Sequence, residues 1–139
     1  MNRLLLILAV AATAGSLPLS NPISAQFVPS AKKAAHVRIL QGPELESATQ
    51  NLTIIRWTSD NPGGSPEHFG VVHYGKDPKD LSQTAKSHIR LNPTHSYTVF
   101  RVRVDGLQPR TTYYYTVDSA DAHGASDGVI SSVKTFTTR

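Results

Sequence analysis

The 139-residue chain contains no cysteine. That excludes disulfides, thiolate metal ligands, cysteine-linked haem and iron–sulfur clusters. It has no complete glycine-rich phosphate loop and no His-Glu-x-x-His pair, the patterns of nucleotide handling and zinc-dependent hydrolysis. No stretch keeps a helical period, so long amphipathic helices are not expected. Blocks of one charge are missing too: the longest basic run is Lys32-Lys33. A pI near 9.6 suits a nucleic-acid binder only where the charge is clustered, so nucleic acid is not an expected partner.

Long apolar runs are absent except near the start, where Leu4 to Val10 continues through Ala11, Ala12 and Ala14. That run is too short to cross about 30 Å of hydrocarbon. It follows Arg3 and is broken by Pro18 and Pro22, and Ile23-Ser24-Ala25 places a small residue before a cut. This is the pattern of a secretory signal peptide over residues 1–25, with Ala14 offering an earlier cut and an unusually short leader. Cleavage after Ala25 removes one charge, Arg3, and leaves 114 residues with 13 basic and 10 acidic side chains. No transmembrane anchor is expected after cleavage, and the expected location is secreted or periplasmic. Residues 26–35 are small, polar and basic and read as a flexible lead-in, and residues 36–139 read as one domain.

From His36 onward the chain is a series of short alternating segments separated by Gly, Pro, Asn and Asp. Strands are expected at His36–Leu40, ended by Gly42-Pro43, and at Leu52–Thr58, with Thr53, Ile55 and Trp57 on one face. Others are expected at Phe69–Tyr74, Lys86–Leu91, Tyr97–Val104, Tyr113–Val117 and from about Ile130 to Thr138. Phe100, Val102 and Val104 share a face opposite Arg101 and Arg103. The spacing predicts an all-β, seven-stranded immunoglobulin-like sandwich. The segment Gly106-Leu107-Gln108-Pro109-Arg110-Thr111-Thr112-Tyr113 has the composition of a tyrosine corner. Leu107 plugs the core, Pro109 sets the turn, and the Tyr113 hydroxyl bonds back to the loop. Trp57 is expected to fill the space between the sheets.

Trp57 on an early strand together with this corner resembles a fibronectin type III domain over nearly all of residues 36–138. A finer resemblance rests on Val72-His73-Tyr74-Gly75, on Gly106-Leu107 through Tyr113-Tyr114-Tyr115, and on Phe136-Thr137-Thr138. These look like the sandwich that precedes the catalytic domain of purple acid phosphatases. In that family the metals and the phosphate chemistry belong to the domain that follows. The resemblance therefore implies no catalytic residue, metal ligand or cofactor for this chain.

Two groups of residues are candidates for binding. His68, His95 and His123 fall in loops that this topology gathers at one end, with Asp60, Glu67, Asp121 and Asp127 in the same loops. They read either as a ligand site or as solvated loop polarity, since imidazoles need a supporting shell to converge on a metal. Arg38, Arg56, Arg101 and Arg103 point outward from three strands expected to share a sheet. They read as a solvated face or as a docking stripe for a protein or an anionic surface, with Glu44 and Glu46 assigned to the loop after the first strand. Asn51-Leu52-Thr53 matches a glycosylation acceptor and reads as chance. The expected function is an exported, non-enzymatic interaction module binding protein, or less readily glycan or polyanion. The alternative is the accessory domain of a purple acid phosphatase-like enzyme.

Overall fold

Alternate residues of one central strand are buried to completion: Thr53, Ile55 and Trp57 turn inward, while Ile54, Arg56 and Thr58 stay half-buried on the other side. Period-two alternation is what a strand with one solvated face requires. In the computed structural model, which describes Gly15 and residues 32–139, seven such strands form two sheets. The leader expected over 1–25 and most of the lead-in lie outside the described residues.

The strands are β1 (Ile39–Ala48), β2 (Thr53–Asp60), β3 (Glu67–Gly75), β4 (Gln83–Arg90), β5 (Tyr97–Val104), β6 (Thr112–Asp121) and β7 (Lys134–Thr137). They pair antiparallel as β1-β2-β5 and β4-β3-β6-β7. The fourth strand thus joins the larger sheet, the arrangement of a fibronectin type III sandwich.

The core between the sheets is built on aromatic contacts. Trp57 and Phe100 are opposite in register on β2 and β5, and their rings stack at 5.1 Å with 17° between planes. The facing position on β3 is Gly70. A Cβ there would stand 2.8 Å from Val102 Cγ2, 3.1 Å from Trp57 Cη2 and 3.2 Å from Phe100 Cδ1. The missing side chain is the room the indole occupies. At the other end Tyr113 stacks on Phe136 at 5.4 Å and meets Tyr74 edge-on at 6.2 Å. The Tyr113 hydroxyl accepts the Gln108 N–H at 3.0 Å, which closes the expected tyrosine corner over buried Leu107. Thr138 Oγ1 donates to Gln108 O at 2.5 Å and accepts the Thr111 N–H at 2.9 Å, so the last strand is tied to the same corner. Burial, with the Glu44 carboxylate adding to it, pushes the Tyr115 phenol up to about 12.

Several boundaries differ from the sequence expectation: β1 starts at Ile39, β4 starts at Gln83 and β6 runs on to Asp121. Gly42-Pro43 does not end the first strand. The peptide is cis, the register with β2 shifts around it, and β1 continues to Ala48. An edge strand tolerates proline at such an irregularity because one side of it needs no ladder bond. Residues 130–133 are not strand: the backbone of Ser131 still donates to Val117 O, but the Ser131 hydroxyl takes over the Val117 N–H that a ladder would have used. Glu67 and His68 belong to β3, not to the loop before it, and Asp60 and Asp121, also expected in loops, are the last residues of β2 and β6.

Replacing Trp57 by Ala is expected to cost ~3–5 kcal/mol through the cavity it leaves. Gly70→Ala is expected to cost ~1–3 kcal/mol by overpacking, and Tyr113→Phe about 1 kcal/mol by removing the acceptor of a backbone N–H. Urea midpoints read all three; an unchanged midpoint for Gly70→Ala would show that the sheets separate without loss.

Candidate functional site

The outward residues of β1, β2 and β5 bring Arg56, Arg101 and Arg103 onto one face, with Arg38 just ahead of β1. Arg56 stands directly opposite Arg101 in register, a juxtaposition that is unfavourable for like charges. The acids that relieve it are in the sheet. Because β1 runs on past Pro43, Glu44 and Glu46 are strand residues, which corrects their assignment to a loop. Arg101 forms a two-pronged pair with Glu46, both contacts at 2.7 Å. Arg56 Nη1 reaches Glu44 Oε1 at 3.3 Å, and Glu44 faces Arg56 across the β1–β2 ladder. Arg103 Nε donates to both oxygens of Asp105 at 2.8 and 2.9 Å. Arg38 Nε meets Asp60 at 3.0 Å, and that side-chain hydrogen bond holds the Asp60 carboxyl below the usual carboxylate range. The stripe is thus a charge-paired lattice. Exposed pairs of this kind contribute little to stability, about 0–1 kcal/mol each, but they define a surface of fixed donors and acceptors.

The three candidate histidines lie toward one end of the sandwich but do not meet. His68 faces inward from β3, with its side chain 1% exposed. Its Nε2 is 3.3 Å from Asp127 Oδ1, and the other Asp127 oxygen accepts the Ser119 hydroxyl at 2.6 Å. The His68 Nδ1 has no hydrogen-bond partner. His95 lies in the β4–β5 loop, stacked on Tyr97 at 5.6 Å. His123 is exposed in the turn after β6. Asp121 organises that turn by accepting the N–H groups of His123 and Ala125, and the Ala125 bond leads the causes that lower its pKa. Among the described residues no group of three or more His, Cys, Asp or Glu side chains is arranged to hold a metal.

Ser119, Asp127 and His68 also resemble a catalytic set by composition, and their order of contact decides against it. The carboxylate sits between serine and histidine, so the imidazole does not receive the serine proton. Gly124-Ala125-Ser126-Asp127-Gly128 spells the Gly-x-Ser-x-Gly nucleophile pattern, which corrects the sequence expectation that no nucleophile-elbow sequence is present. It lies in the β6–β7 connection, with no helix after it, and the Ser126 hydroxyl donates to Asp118 at 2.7 Å. The strand–turn–helix context that makes the pattern reactive is missing. These residues form a clasp instead: Asp127 to His68 and Ser119, Asp127 N to Ser119 O at 2.8 Å, and Ser126 to Asp118 hold the 122–128 loop on the end of β3 and β6.

An all-β sandwich of three plus four strands, closed by a tyrosine corner and presenting ion-paired faces, is of the fibronectin type III class. The family described as purple acid phosphatase, N-terminal domain, matches residues 41–138. The chain belongs to that family. An acid phosphatase of Aspergillus ficuum is 30% identical over 123 residues, covering 70% of this chain and 20% of the relative, so the chain spans about a fifth of that protein's length. Among solved structures, a sensor domain of the anti-sigma factor RsgI4 of Pseudobacteroides cellulosolvens superposes with a TM-score of 0.49 at 20% identity, over 76% of this chain and 96% of that one. A computationally redesigned β sandwich gives 0.34 at 17% identity, over 73% and 93%.

Asp127→Ala is expected to cost ~1–3 kcal/mol, because it strands two buried polar side chains, His68 and Ser119. Hydrogen exchange should show residues 122–128 losing protection ahead of the core. Uniform loss of protection would mean the clasp is part of the global fold rather than a local latch.

Proposed function

We propose that this sandwich is a non-catalytic accessory module, exported, whose work is contact with another protein beside a phosphatase-type catalytic unit. The observation that carries it is the extent of the family match: residues 41–138, from within β1 to just past β7, correspond to an N-terminal domain. Export is supported by the leader pattern in residues 1–25.

The surface best suited to such contact is the outer face of β1-β2-β5. Its arginines are fixed by neighbouring carboxylates, and half-exposed Tyr97 and half-buried Ile54 lie on the same face. A protein partner can exchange these pairs one for one while covering the apolar groups. A polyanion would have to displace Glu44, Glu46, Asp60 and Asp105 first, which disfavours it. The polyanion reading stays as the second one, because the guanidiniums of Arg38, Arg101 and Arg103 remain well exposed.

The mature chain alone is expected to hydrolyse no aryl phosphate in the presence of added iron, manganese or zinc. Turnover that survives repurification would overturn the accessory reading. On a heparin column the wild type and Arg101→Ser/Arg103→Ser are expected to elute at the same low salt. Earlier elution of the variant, by a margin that vanishes once screening falls to about 10 Å in ~0.1 M salt, would favour the polyanion.

A further inference from the structure

The two sheets each leave an edge on the same side of the sandwich. β4 ends the larger sheet and β5 ends the smaller one; they touch but do not pair. Where they part, a cleft of about 300 Å³ opens, lined by Ile89, Arg90, Asn92, His95, Tyr97 and Val99. That volume is at the lower end for small-ligand sites, the size for one ring-shaped unit.

The rim of the cleft is held rigid by bonds the core does not need. Asn61 Nδ2 donates to Asn92 O at 2.8 Å and to His95 O at 2.9 Å, and Asn61 N donates to Ser96 O at 3.0 Å. Asn92 Oδ1 accepts both the N–H and the hydroxyl of Thr94 at 3.0 and 2.7 Å. This loop presents the His95 and Tyr97 rings stacked parallel within 20°, with Tyr97 48% exposed. An aromatic plate is thus fixed in water, although burial would have favoured turning it inward. Beside it Glu67 orients Arg90 through Nη1 at 2.8 Å, which leaves the other N–H groups of the guanidinium facing solvent.

The chemistry that fits is specific. Arg90 is already neutralised by Glu67, so the cleft does not select an anion. Ile89 and Val99 supply an apolar floor, the plate takes a flat face of C–H groups, and the Arg90 guanidinium, held by Glu67, offers its remaining N–H groups as donors. A pyranose ring has that form: an apolar face and a rim of hydroxyls. We propose that the β4–β5 cleft is a saccharide subsite, filled by one pyranose unit, with Tyr97, backed by His95, as the stacking platform and Arg90 as the hydroxyl partner. The cleft shares Tyr97 with the edge of the face proposed above for protein contact, but the saccharide reading stands or falls without that contact.

The test is an amide-shift titration of the ¹⁵N-labelled mature chain with cellohexaose, xylohexaose and chitohexaose in turn. At least one is expected to move amides confined to residues 89–99 and 67. Tyr97→Ala is expected to weaken that binding by about tenfold or more, while Tyr97→Phe keeps it. The amide spectrum of each variant reports whether its fold is intact. Silence of residues 89–99 with all three glycans, or binding unchanged by Tyr97→Ala, overturns the proposal. So does inorganic phosphate moving the same amides when the glycans do not.

Discussion

The structure depends on the seat of Trp57 over Gly70. Two sheets packed face to face leave a core about 10 Å thick, and an indole stacked on Phe100 uses most of that depth. Only a position without a side chain on the facing strand admits it, and β3 supplies that position at its second buried residue, Gly70. Once the indole is fixed inward, the period of two decides every other orientation on β2 and, through its register, on β1 and β5. Arg56 must face out, Arg101 must lie opposite it, and Glu44 must lie on its other side. The charge-paired face is therefore a consequence of core packing.

This explains which features were legible in the sequence. β2 and β5 alternate cleanly, so Trp57, Ile55, Phe100, Val102 and Val104 were assignable to the core from spacing alone. The corner from Gly106 to Tyr113 is local in sequence, and its defining bond spans only five residues, from Gln108 N to the Tyr113 hydroxyl. The topology followed from strand count and corner together. What failed were features set by partners distant in sequence. Pro43 looks like a stop until the neighbouring β2 is known, because only pairing shows that the strand resumes. The alternation Glu44-Leu45-Glu46 was the available sign that it does. His68 looks like loop polarity until Asp127, far along the chain, closes over it.

The same distinction separates the candidate sites. Histidines that share one end of a fold do not make a site unless a second set of groups aims them at one point. Here the supporting groups aim them apart: a carboxylate draws His68 inward, the Asn61-pinned loop lays His95 on Tyr97, and the Asp121 turn leaves His123 in solvent. The arginines were predicted correctly as neighbours and incompletely as charges. Residue type and spacing locate a face, whereas its electrostatics depend on the register of the adjacent strand.

Glu67 and His68 show how closely the core and the surface are coupled at this end. They are consecutive in β3 and point to opposite faces of the sheet. His68 turns inward to the Asp127 clasp, and Glu67 turns outward to Arg90 and His88, its partners on β4. A slip of one residue would bury the carboxylate without a cation and expose the imidazole, so both contacts select the same register. The ladder then carries that choice across to β4, where Ile89 is paired with His68 and Arg90 with Glu67. The floor and the polar rim of the β4–β5 cleft are thus set by the residues that latch the far loop. The clasp, which has no chemistry of its own, fixes the shape of the cleft beside it.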